Sequence, residues 1–261
     1  MKTGKRTIEF AFIPNSGFLN SNLPLVNDCE LKLSFDRVNA EVAMLENSKV
    51  IKQTCVGSPL VIKDCCAIAE YVSSDKLEKH FAKIDYSPIP YHYEECEVTL
   101  KTIPLNEKEV RLDNITGGDV PNVMFAGIIE SASLNGDIEA SSTHFACNNV
   151  TEFNITLNGN SVNGYPIENR RKIAVYPFYK FMDVTKRYMN PLCGEGLKLS
   201  TFKYNWLYAH SFEAESSSQG WIGVNFKMDT AFTIPHTLVI WTIKDCALTV
   251  DKFHKIEKVE L

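Results

Sequence analysis

The chain has no long apolar run, no excess of positive charge and no Cys-x-x-Cys pair, and each absence removes a class of function. Its longest apolar run, residues 123–129, falls far short of the ~20 residues that a membrane helix needs. Near the N-terminus the apolar stretch from Ile8 to Ile13 is short and interrupted by Glu9, so no secretory signal is expected. These readings together predict a soluble protein made in the cytosol, with no membrane partner. A formal net charge of −5 gives no electrostatic footprint for nucleic acid. Lys2, Lys5 and Arg6 make a basic start too short for a genome-packaging arm, and a solvated terminus accounts for them. Eight cysteines in 261 residues do not make a disulfide scaffold. Cys65 and Cys66 are adjacent in a strand pattern, so they point to opposite faces and are poorly placed to share a partner. The expectation is eight reduced thiols, mostly acting as small buried hydrophobes. Three Asn-x-Thr sequons, at Asn114, Asn149 and Asn154, read as chance without a secretory signal.

The motifs of catalysis are missing as well. There is no Gly-x-Ser-x-Gly elbow, no His-Glu-x-x-His pair and no dinucleotide fingerprint, and Gly4-Lys5 lacks the upstream glycine of a phosphate loop. The best metal candidate is His92, Glu94 and Cys96, which would share one face of a strand. A fourth ligand would have to come from elsewhere, and this mixture is unusual for zinc, so the segment reads as a strand with a solvated edge. His144 reads as an exposed loop histidine or a pH-sensitive interface group. His210 and His236 have no carboxylate or cysteine at ligand spacing, and Asp183 and Asp245 are isolated. No catalytic residue, metal or cofactor is therefore assigned, and the chain is not expected to be an enzyme.

What the sequence does contain is alternation. Val150, Glu152, Asn154 and Thr156 alternate with Thr151, Phe153, Ile155 and Leu157, the period-two pattern of a half-buried strand. Asn158-Gly159 closes that strand with the pair that best tolerates positive φ, a strong hairpin signal. Residues 121–129 read as a strand buried on both faces. Further strands are expected over 7–13, 29–37, 41–45, 60–72, 94–103, 197–204, 221–227 and 236–250, about ten in all. Residues 106–118 and 206–220 read as loops. One short helix is expected over 75–84, where Leu77, His80 and Phe81 fall at helical spacing behind a Ser74-Asp75 cap. The run from Ile173 to Met189 concentrates Tyr176, Phe178, Tyr179, Phe181, Met182 and Tyr188, as a helix or loop that buries an aromatic face or, failing that, a stacking site for a ligand. Phe202, Tyr204, Trp206 and Tyr208 alternate, so an extended segment would project four aromatics from one side, either into the core or as a platform for a protein or sugar. Strands dominate and few helices separate them. The expectation is an antiparallel all-β protein with less than about a fifth of its residues helical.

The order of these features resembles the major capsid proteins of Polinton/Maverick elements and adintoviruses. In that family a Gly-x-x-Pro turn precedes an apolar strand, followed by Ala-x-x-Gly, a conspicuous Phe, and a strand that ends in Asn-Gly and a Pro. The matching residues are Gly118 and Pro121, Ala132 (slightly shifted), Gly136, Phe145, Asn158-Gly159 and Pro166. Ser141-Ser142-Thr143 stands where the family has Asn-Pro-Phe. Weaker echoes fall at 30–40, 61–65 and 196–202. The resemblance spans roughly 16–250 and covers only the second of the two jelly rolls that such a protein carries.

The resemblance implies a jelly-roll β-sandwich with long loops, one domain over residues 1–261, since a double jelly roll needs about sixteen strands. It implies a structural role in a virus or virus-like transposon, tiling into a shell or vertex. Partners would be further copies of the chain (a trimer, pentamer or hexamer) and other capsid proteins, without direct nucleic-acid binding. The protein would reside in the virion, after synthesis in the host cytoplasm and with possible assembly in the nucleus. Gly118, Pro121, Gly136, Asn158, Gly159 and Pro166 are then structural turns. Phe202, Tyr204, Trp206, Tyr208, Tyr176, Phe178 and Phe181 are the candidate interface. A second reading is a carbohydrate- or protein-binding β-sandwich co-opted from such an element. A third is a cupin-type metalloenzyme, which would need clustered His and Glu where this sequence scatters its histidines.

Overall fold

The computed structural model describes residues 88–135, 144–146, 149–162, 167–168, 175–185, 199–203, 207–212, 219–251 and 255–260, with Lys32, Ser34, Cys66, Asp75 and Lys79. The strands expected over 7–13, 29–37, 41–45 and 60–72 lie almost wholly outside the described residues. Within the helix expected over 75–84, the described Asp75 and Lys79 are helical.

The chain divides into two compact units. The larger comprises residues 32–69 and 96–244 and holds two antiparallel sheets. In order along the chain the strands are β1 (Ile89–Ile103), β2 (Glu109–Leu112), β3 (Val123–Glu130), β4 (Val150–Leu157), β5 (Asn160–Ser161), β6 (Ile167–Glu168), β7 (Tyr208–Ser211), β8 (Ile222–Met228), β9 (His236–Val250) and β10 (Ile256–Glu260). Three helices are described: α1 (Ser131–Leu134), α2 (Val175–Thr185) and α3 (Leu199–Phe202).

One sheet has the order β1-β9-β3-β7 and the other β2-β8-β4-β5, with β6 beside β4. The early strands pair with the late ones in reverse: β1 with β9, β2 with β8, β3 with β7, β4 with β5. Rolling that long double ribbon brings β9 onto β3 and β8 onto β4. This eight-strand wrapping is the jelly roll, so the fold is an antiparallel jelly-roll β-sandwich.

Alternation decides which residues fill the space between the sheets. From one sheet come Met124, Ala126, Ile128, Tyr208, Leu238 and Ile240; from the other Phe153, Ile155, Val224 and Phe226, all at 2% exposure or less. β3 sits between β9 and β7 and is buried on both faces, because Val123 and Phe125 on its outer side lie under Val184 and Phe181 of α2. In β4 the register shifts between Val150 and Glu152. This β-bulge inserts one residue, so Val150 and Phe153 both reach the core although plain alternation would separate them.

Four sequence expectations are corrected. Glu109–Leu112, read as part of a charged loop, is strand β2, and Val110 gives it a buried anchor. Tyr208–Ser211, read as loop, is the short strand β7 paired to β3. Leu199–Phe202, read as strand, is a single helical turn. Val150, placed by strict alternation with the polar residues, is turned inward by the bulge.

The smaller unit comprises residues 1–31, 70–95 and 245–261. Its described part is a strand framework in which β10 pairs antiparallel with the end of β9, from Ile256 opposite Val250 to Glu260 opposite Cys246. Lys258 Nζ donates to Glu95 Oε2 at 2.6 Å, and the buried Cys246 thiol donates to the same oxygen at 3.6 Å. Burial and the neighbouring Cys246 raise the pKa of the Tyr93 hydroxyl.

Candidate functional surfaces

In a sandwich filled by apolar side chains, function falls to loops and outer faces, and in the larger unit both ends are tied by hydrogen bonds between loops. At one end three connections meet. The Asn106 amide donates to Phe232 O at 3.0 Å and Ser131 N donates to Pro235 O at 3.0 Å. Asn149 spans the gap: its Nδ2 donates to Thr230 O at 2.6 Å, and its backbone oxygen accepts from Asp229 N. His236 stacks on Phe232 at 3.7 Å between centroids, and its Nδ1 lies 2.9 Å from Ile234 O. On this braced end Leu105 and Ile234 stand 45% and 47% exposed.

The other end is built on glycine and asparagine backbone. Gly118, at φ 120°, accepts a bond from Gly220 N, and Pro121 is buried just before β3. Asn158 (φ 52°) and Gly159 (φ 82°) form a two-residue connection between β4 and β5, as the twist of a tight hairpin requires. The turn is also held from outside. Asn158 N donates to Trp221 O at 2.9 Å, and Trp221 N donates to Asn158 Oδ1 at 3.0 Å. A Cβ on Gly159 would meet the Trp221 ring at 3.4 Å. Gly159→Val is therefore expected to cost roughly 1–2 kcal/mol through the positive φ alone. A fall in the urea midpoint with an unchanged slope will register it; an unchanged midpoint would mean that the turn adapts without strain. Gly136 and Pro166, the remaining turn candidates, lie outside the described residues.

Phe145 settles over the outer face of β3. It lies against Gly127, whose added Cβ would fall 2.6 Å from its ring, and it meets Trp241 edge-on at 5.9 Å. Ala146 N donates to Ile128 O at 2.6 Å and fixes the backbone beside it.

The aromatic candidates divide. Phe202 and Tyr208 are 2% and 1% exposed, so both belong to the core and are corrected from candidate interface to packing residues. The cause is backbone geometry: a helical turn ends at Phe202 and a new strand starts at Tyr208, so no single extended face carries them. Tyr204 and Trp206 lie outside the described residues. Phe178 and Phe181 project from α2 onto Phe202 at 5.2 and 5.3 Å, and Phe181 also reaches Phe125 at 5.9 Å. With Tyr176, they pack against the core, half-buried, while Tyr179 on the same helix is 60% exposed.

The sequence puts another apolar row, Cys96, Val98 and Leu100, on one face of a strand, and the structure shows which way that face turns. Ile103 lies in the core, so alternation turns Leu100, Val98 and Cys96 of β1 to the outer face, where Val98 and Leu100 are 55% and 53% exposed. Glu97 lies on the opposite face, 3.9 Å from Lys244, which also pairs with Asp119 at 3.3 Å. The alternation was visible in the sequence; which face met solvent was not. His92, Glu94 and Cys96 do share a strand, but among the described residues no group of three or more His, Cys, Asp or Glu is placed to hold a metal. His144 is exposed. Cys66 and Cys96 are exposed thiols and Cys246 a buried one.

No protein-family model matches the chain, and no curated protein does. Among solved structures it is similar to a chain of the Sputnik virophage at 15% identity and a TM-score of 0.38, over 66% of this chain and 39% of that one. It is also similar to the mavirus major capsid protein at 10% identity and a TM-score of 0.36, over 73% of this chain and 44% of that one. The chain thus spans less than half the length of either.

Proposed function

We propose that the protein is a structural capsid subunit of a virus or virus-like transposon, working by self-assembly and not by chemistry. The observation that supports this best is where the resemblance residues fall. Gly118 and Pro121 form the turn into β3, Phe145 lies on the outer face of that strand, and Asn158-Gly159 closes the β4–β5 hairpin. Gly118, Pro121, Phe145, Asn158 and Gly159, which carry the resemblance among the described residues, thus lie where the jelly roll turns or packs. The proposal includes one jelly-roll domain over residues 1–261, a location in the virion, and partners that are further copies of the chain or other capsid proteins.

The outer row Val98–Leu100 and the loop pair Leu105–Ile234 supply exposed apolar surface on a rigid frame, the kind that subunit contacts cover. Light scattering behind size exclusion, at rising concentration and moderate salt, should show a discrete oligomer, and electron microscopy should show rings, trimers or shells. Val98→Glu with Leu100→Glu should weaken association by roughly tenfold or more, given ~1.5–3 kcal/mol for each buried aliphatic side chain. Circular dichroism should remain that of the parent. A strict monomer at high concentration that also ignores co-expressed capsid partners would overturn the proposal. Glycan binding by such a monomer would favour the carbohydrate-binding alternative.

A further inference from the structure

β7 is four residues long, ends its sheet among the described strands, and is paired on one side to β3. Tyr208 and His210 lie opposite Ala126 and Met124, residues that face the core, so the His210 side chain is turned toward the interior. Its ring meets Phe212 edge-on at 4.6 Å between centroids, and the residue is 7% exposed. Nε2 is buried and has no hydrogen-bond partner. A neutral imidazole tolerates this setting at modest cost, whereas an imidazolium has a charge and an N–H there with nothing to receive them.

The surrounding charges do not help. On α2, which packs against β7, Lys180 holds its Nζ over the Tyr176 ring, 6.0 Å from the centroid, and adds a second cation near enough to act on His210, while Asp183 of the same helix is exposed. β3 places Met124 opposite, with Val123 and Phe125 opposite the flanking Ser211 and Ala209, and Phe212 N donates to Asn122 O just before the strand; none of these is ionisable. From the burial and the unpartnered nitrogen we infer that His210 makes the β7 end of its sheet acid-labile, so that protonation drives the strand out of the core. A short strand with one ladder among the described strands is cheap to release. The inference concerns the single chain and stands or falls independently of assembly.

The direction follows from the two protonation equilibria. Burial first, and then Lys180, lower the His210 pKa from 6.5 to about 4. Between those values the released or unfolded chain binds a proton that the folded chain refuses, so the folded state loses stability as pH falls from 6.5 toward 4. Above pH 6.5 the effect is absent. Across the full window the equilibrium constant for release should rise roughly 300-fold, tenfold for each pKa unit.

Three measurements on the intact chain test this. In an NMR titration, the His210 imidazole should stay neutral well below pH 6. Urea unfolding of the parent and of His210→Phe at pH 7, 5.5 and 4.5 should show a pH-dependent loss in the parent that the variant lacks, beyond the loss both share from carboxylates. Hydrogen exchange, corrected for its intrinsic pH dependence, should show amides 208–212 losing protection on acidification in the parent alone. A His210 that titrates at or above 6.5, or a variant with the parent's full pH slope, would overturn the inference. If His210→Phe does not fold, the titration of the parent decides by itself.

Discussion

Phe153→Ala should lower stability by about 3–5 kcal/mol, the range for emptying a large aromatic site in a close-packed core. Phe153 is fully buried on β4. Its ring lies flat against Tyr208 of the opposite sheet, 3.7 Å between centroids with the planes 6° apart, and 6.1 Å from Phe226 of its own sheet. Truncation therefore removes transfer free energy and also the stacking contact across the sandwich, and the strands around it cannot collapse far because both sheets are hydrogen-bonded ladders. For a chain of this size the loss corresponds to a fall of roughly 10 °C in melting temperature. Tyr179→Ala, at a site 60% exposed on α2, should stay within about 0.5 kcal/mol and serves as the control. A Phe153→Ala loss below about 1 kcal/mol would mean that the two sheets do not close over this ring.

The local features of the fold were legible because their causes are local. Asn158-Gly159 announces a turn through the φ values that those two residues tolerate, and residues 123–129 announce a doubly buried strand through an unbroken apolar run. The bulge at Val150–Glu152 was not legible, since it exists only in the register of β4 against β8. β7 escaped notice because four residues carry too little pattern, and its identity as a strand comes from Met124 and Phe125 beside it. The same holds for the surface. Alternation along β1 separates Val98 and Leu100 from Glu97 and Thr99, but only the packing of Ile103 into the core tells which row faces outward. Phe202 and Tyr208 looked like neighbours on one face, until a helical turn and a strand boundary between them sent both inward. The burial of His210 depends on this same pairing, so a histidine that was unremarkable in sequence stands 7% exposed with an unpartnered ring nitrogen.

Gly127→Val is expected to destabilise by about 1–3 kcal/mol, the usual cost of overpacking. Gly127 sits on the outer face of β3, opposite Val239 of β9, and its φ is not the reason for glycine. The reason is space: a Cβ there would lie 2.5 Å from Leu207 Cδ2 and 2.6 Å from Phe145 Cδ1. Both atoms are side-chain atoms, so the question is whether either can move. Leu207 directly precedes β7 and has some room to turn. Phe145 has less, since Trp241 holds its ring on one side and the Ala146–Ile128 bond fixes its backbone. The strain should therefore pass through Phe145, which makes a distinctive prediction. Removing that ring in the same molecule should relieve part of the damage, so that Gly127→Val with Phe145→Ala costs less than the sum of the two single changes by about 1 kcal/mol or more. Urea unfolding of the four proteins measures this coupling directly. Strict additivity would show that Leu207 or the strand backbone absorbs the added volume, and that Phe145 does not depend on a glycine beneath it.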